Sequence, residues 1–147
     1  MYVQHIDKVT QTETAVRCVL NGCFWDNDKA NIMKQTGVET KFNAEIFIKN
    51  DKSITGREYV SPEEWAKLSI AETADKWTVT SSPLTVVVND EMPHEFTPTA
   101  VGNKTVDRLA MQIEIYRKEN PLTRLTVLAV DPQLFGASRM QHINVRC

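Results

Sequence analysis

The chain has 147 residues, the size of one domain, and folding it removes roughly 69% of the surface of the extended form, leaving about 7,600 of about 24,000 Å². Two large domains are thereby excluded. A hydrophobic content of 41%, with 24% charged residues and a formal net charge of −2, excludes wholesale disorder and a histone-like surface for polyanions.

Residues 1–13 show no sustained period and are expected to form an arm, flexible or docked on a partner, ahead of a single β-rich domain over 14–147. From Thr14 to Leu20 apolar residues alternate, and Asn21-Gly22 precedes Cys23, Phe24 and Trp25, which predicts a hairpin with a type I′ turn. Asp26–Val38 then loses its strand period and reads as a long exposed loop. Lys41–Asn50 alternates again, with Phe42, Ala44, Ile46 and Ile48 on one face, and is expected as a strand.

Asn50–Gly56 has turn chemistry. Ser61-Pro62-Glu63-Glu64 then places Ser at a helix N-cap, Pro at the first helical position and Glu at the third, with Trp65 and Leu68 on the apolar stripe that follows. Lys76–Thr80 and Pro83–Asn89 read as strands. The intervening loop Asn89–Pro98 offers Met92, His94 and Phe96 as exposed candidates for partner contacts. Asn103 or Thr105 can cap a helix carrying Val106, Leu109, Ala110, Ile113 and Tyr116, which Asn120-Pro121 ends. Leu122–Val130 and Gln141–Arg146 close the chain as an antiparallel pair. The fold class is therefore α+β, predominantly β, a small antiparallel barrel or strongly curved sheet with two inserted helices and long loops.

Chemistry is sparse. His5, His94 and His142 lie far apart, and no His-x-x-x-His occurs. The three cysteines, Cys18, Cys23 and Cys147, lack the Cys-x-x-Cys pairing of zinc or redox sites, so they are expected as free thiols, Cys23 buried beside Phe24 and Trp25. Glu63 and Glu64 are accounted for by capping, and no phosphate-cradling glycine motif is present. No catalytic residue, metal or cofactor is expected. A run of roughly eighteen apolar residues and a secretory leader are both absent, which predicts a chain made in a cytoplasm with no membrane partner. Single-stranded nucleic-acid binding is disfavoured by 17 basic against 19 acidic residues, and Trp25, Trp65 and Trp77 read as core anchors.

Two stretches carry a resemblance: Tyr59–Trp77 (YVSPEEWAKLSIAETADKW) and Leu125–Val145, in which Thr126, Val127, Val130 and Asp131 are followed by Gly136, His142 and Val145. With VRCVLNGCFW over Val16–Trp25, they resemble the head–tail connector, or neck, proteins of tailed bacteriophages, of the stopper or head completion type. Ser81-Ser82-Pro83, Asn89-Asp90, Pro132 and Gln133 depart from that pattern. The resemblance implies a non-enzymatic virion component, a homo-oligomeric ring between the portal or adaptor and a tail-side connector or terminator protein, through which genomic DNA passes without sequence recognition. Tail terminator and minor capsid or tail roles use similar small domains. Phe135, Arg139, Met140 and His142 of the closing hairpin join the contact candidates, with hairpin packing as the first reading of the last three.

Overall fold

The structure is a computed structural model that describes residues 1–34, 37–89, 93–120 and 127–147. It is an α+β fold, mostly β. Strands β1 (Tyr2–Asp7) and β2 (Thr12–Arg17) form an antiparallel hairpin that β7 (Thr99–Ala100) extends. A second sheet has the order β3-β4-β9-β8, built from β3 (Phe24–Lys34), β4 (Gly37–Lys49), β8 (Ala129–Gln133) and β9 (His142–Arg146), all antiparallel. β5 (Glu58–Tyr59) and β6 (Lys76–Trp77) make a short parallel pair. Among the described residues none of these sheets closes into a barrel.

Residues 1–13 are not an arm. Tyr2, Val3 and His5 are buried, so β1 is a structural strand, and its turn is tied by the Asp7 carboxylate, which accepts the Val9 and Thr10 N–H groups at 2.8 and 3.2 Å. Those two donors hold the Asp7 carboxyl below its usual range. The predicted pairing across Asn21-Gly22 also fails, because β2 pairs with β1 and β7 whereas β3 pairs with β4. The segment instead crosses between sheets. The Asn21 N–H donates to the Thr55 carbonyl at 3.2 Å, and Gly22 sits at φ +65° with space for no side chain, a Cβ there lying 2.5 Å from Ile54 Cγ2. Gly22→Ala is expected to cost about 1–2 kcal/mol, read as a lower urea midpoint at unchanged slope.

The expected loop over Asp26–Val38 is largely strand, since β3 and β4 pair from Phe24↔Phe47 to Lys34↔Gly37. β9 reaches β4 only at Glu45–Lys49, with the Ala44 and Cys147 backbones bonded just beyond. Among the described residues, Asp28–Lys34 and their partners Gly37–Asn43 pair only with each other, a ribbon that projects about 23 Å at the usual rise of a strand. The accessible surface of 9171 Å² exceeds the about 7,600 Å² of a compact chain of this mass, as such a projection requires.

Helix α1 (Lys52–Thr55) fills the predicted turn, opened by the Asp51 side chain and closed by Gly56 at φ +81°. α2 (Pro62–Trp65) carries the predicted capping box: Ser61 accepts the Glu64 N–H and the Glu64 carboxylate accepts the Ser61 N–H. Ser61→Ala should cost about 1 kcal/mol and lower Tm by roughly 2–4 °C. α3 (Leu109–Glu119) starts later than expected, because Asn103 caps a turn at Thr105 instead, and Val106 is exposed. It ends, as predicted, at Asn120.

The segments expected as strands at Lys76–Thr80 and Pro83–Asn89 give only β6 and a single bridge, Tyr2↔Val86. Trp77, Thr78 and Val79 are buried in succession, as are Thr85, Val86 and Val87, so neither stretch has the one-sided burial of a half-solvated strand. The closing pair forms, but β8 begins at Ala129, and the earlier part of its expected strand, residues 121–126, lies outside the described residues. One core lies between the two larger sheets and includes Val3, Cys18, Ile46, Ile48, Trp65, Trp77, Ile143 and Val145. A second, Tyr2, Val86, Phe96, Leu109, Ile113 and Tyr116, seats α3.

Candidate interaction surfaces

The β8–β9 connection is built to present apolar side chains. Gly136 at φ +84° turns the chain, a 3₁₀ turn follows at Ser138–Met140, and the Gln141 amide donates to the Gly136 carbonyl at 3.2 Å. Asn50 at the end of β4 clamps it, its N–H donating to the Gln141 carbonyl at 3.1 Å and its side-chain amide to Gln141 Oε1 at 3.2 Å. On this braced loop Phe135 is 75% and Met140 65% exposed, with Leu134 and Arg139 exposed beside them. Arg139 and Met140 are therefore not hairpin packing. A side chain with so much apolar surface in water marks a contact site when it stands in a cluster.

The cluster extends onto the solvent face of the sheet. His142 is half-buried, with Nδ1 3.0 Å from the Met140 carbonyl and its ring 6.0 Å from that of Phe47, which lies 6.1 Å from the 63%-exposed Phe24. Phe24 and Leu134 were not predicted; Phe24 stands opposite Phe47 in the register, a signal legible only once the partner strand is known.

The other candidates behave differently. Phe96 is buried, and His94 is half-buried with its ring 4.6 Å from those of Phe96 and Tyr116. The His94 N–H donates to the Tyr2 hydroxyl at 2.9 Å. These two belong to the second core rather than to an exposed loop, because the aromatic faces of Tyr2 and Tyr116 offer them better burial than water does. Met92 lies outside the described residues.

A concave surface lies beside β3, where a cavity of about 350 Å³ is lined by Val19, Leu20, Cys23, Trp25, Ile46 and Ile48 among others. Cys23 is exposed, against expectation, because it lies in the crossover ahead of β3, which begins at Phe24; Phe24 then points to solvent and Trp25 inward. All three cysteines are free, and desolvation pushes the Cys18 and Cys23 thiols up and Cys147 to about 11, so each stays protonated near neutrality. Among the described residues no three His, Cys, Asp or Glu side chains converge as metal ligands, and no helix is long and apolar enough to cross a membrane.

A family model described as "Family of unknown function (DUF6751)" matches residues 1–147. The chain belongs to DUF6751. No curated protein and no solved structure matches it. What the geometry of this DUF6751 chain offers is two unlike surfaces, a braced apolar projection and a half-apolar hollow, together with a long ribbon.

Proposed function

We propose that this chain is a non-enzymatic structural component of a tailed-phage virion, a head–tail connector of the stopper or head completion type. It forms a ring below the portal or adaptor, around the DNA channel, and meets a tail-side connector or terminator protein on its other side. The observation that carries this reading is the β3–β4 ribbon, which runs beyond its last β9 partner and gives a small domain the reach that a ring component needs toward a neighbour or a channel. The resemblance of Tyr59–Trp77 and Leu125–Val145 to neck proteins supports it. So does the charge: at −2 overall the chain carries no strong cationic field to hold phosphates, which suits DNA that slides past without being read.

The two larger sheets, which share one core face to face, are in this reading the open counterpart of a small, strongly curved barrel. Burial of Trp65 and Trp77 removes two of the three tryptophans from any role as stacking platforms for single strands, which favours the connector over a nucleic-acid-binding barrel. The test is quantitative mass spectrometry of purified virions against the major capsid protein. One ring's worth of copies is expected. Capsid-like or tube-like abundance, or absence from the particle, overturns the proposal.

A further inference from the structure

A second hollow, of about 320 Å³, lies against the β1–β2 hairpin, away from the one beside β3. In the register His5 stands opposite Thr14 and Asp7 opposite Thr12, so these four side chains share one face of the hairpin, and all four line the hollow. Thr10 in the turn joins them, its hydroxyl 2.7 Å from that of Thr12. The Thr14 hydroxyl donates to the Phe96 carbonyl at 3.2 Å, and the Asp7 carboxylate holds the Val9 and Thr10 N–H groups. His5 differs from its neighbours. It is 1% exposed, and among the described residues neither of its ring nitrogens has a hydrogen-bond partner. A buried donor and acceptor left unmade in this way carry a cost that a polar group bound beside them removes.

We infer that this hollow is a binding site for a neutral polyhydroxylated ligand, a single sugar ring, whose hydroxyls take the His5 ring nitrogens and the Asp7 carboxylate as partners. The chemistry of the lining selects that class. Burial keeps the imidazole neutral, so one of its nitrogens donates and the other accepts. A hydroxyl does both. A ligand cation brings donors alone and leaves the imidazole N–H unpaired, whereas an anion meets the Asp7 carboxylate, which its turn donors keep ionised. The hydroxyls of Thr10 and Thr12, exposed and half-buried, extend the same donating and accepting pattern outward. Ile70, 48% exposed, and Pro98 supply apolar surface for the C–H face of a ring. At the roughly 30 Å³ share of a water, about 320 Å³ holds about ten non-hydrogen atoms, the size of one sugar ring with its substituents. The site is independent of the connector reading.

The test titrates the isotopically labelled full chain with xylose, glucose, galactose and mannose in turn, following the histidine ring nitrogens by NMR. The His5 signals are those missing from the His5→Phe variant. At least one sugar should shift both His5 nitrogens to saturation while those of His142, on the other sheet, stay in place. Propylammonium and acetate should leave His5 unmoved, and a saturating response to either in place of the sugars overturns the assignment. The bound sugar should raise Tm, and His5→Phe, shown to be folded by circular dichroism, should lose that rise. Asp7→Asn keeps an oxygen for the Val9 and Thr10 N–H groups but loses the charge, and it should weaken binding roughly tenfold. If no sugar moves His5 and its ring shows contact only with a slowly exchanging water, the hollow holds an ordered water and the inference falls.

Discussion

Replacing Trp77 by alanine is expected to destabilise the fold by about 3–5 kcal/mol, a large part of the stability of a domain of this size. Trp77 is fully buried in the first core, closes the parallel β5–β6 pair opposite Tyr59 and meets that ring edge-on with centroids 5.0 Å apart. Removing it leaves a cavity that a surrounding sheet sandwich refills only in part. Trp77→Phe should cost less than about 2 kcal/mol, because the indole Nε1 is buried without a hydrogen-bond partner and its loss forfeits no polar contact. Urea unfolding of both variants, followed by circular dichroism, checks the pair. An alanine variant as stable as the phenylalanine one would show that the core does not pack around this side chain.

The second large effect is on the pH dependence of stability. His5 is 1% exposed, faces the ring edge of Trp65 at 5.7 Å, and has neither ring nitrogen hydrogen-bonded. Burial lowers its pKa from the ordinary 6.5, and the Asp7 carboxylate opposes that shift without cancelling it. A group whose folded pKa is depressed in this direction is neutral in the fold and takes up its proton more readily in the unfolded chain. Stability is therefore complete above pH 6.5 and declines as pH falls from 6.5 toward the lower folded pKa, with a slope of at most about 1.4 kcal/mol per pH unit. His5→Phe should flatten that slope between pH 6.5 and 5, since it carries no titrating group and replaces an unpartnered polar ring by an apolar one of similar size. An unchanged slope in the variant would place the acid sensitivity elsewhere.

Within the site, legibility followed the range of the interactions. Phe135 and Met140 are both contact candidates of the sequence, Met140 with hairpin packing as its first reading, and both are exposed. Phe96 and His94, expected as exposed contact candidates on a loop of similar composition, are packed against Tyr2 and Tyr116, residues far from them in the chain. Nothing local distinguishes the two loops. The hollow beside β3 was not foreseen at all, for its walls come from Val19–Trp25 and from Ile46 and Ile48 on another strand.

The sequence by itself determined the elements whose hydrogen bonds and periodicity are written within a few residues. These are the Ser61–Glu64 capping box, the inward face Ala44, Ile46 and Ile48 of β4, the Leu109, Ile113 and Tyr116 stripe of α3, and the antiparallel closing pair. Tertiary structure alone decided which strand pairs with which. Residues 1–13 became β1 because the hairpin offered Tyr2, Val3 and His5 a core, and Asn21-Gly22 became a crossover because β1 and β7 outcompete β3 for the edges of β2. A strand's alternation says which face is buried. Which edges meet depends on contacts that span the whole chain, and those set where the projecting ribbon, the braced loop and the hollow stand relative to one another.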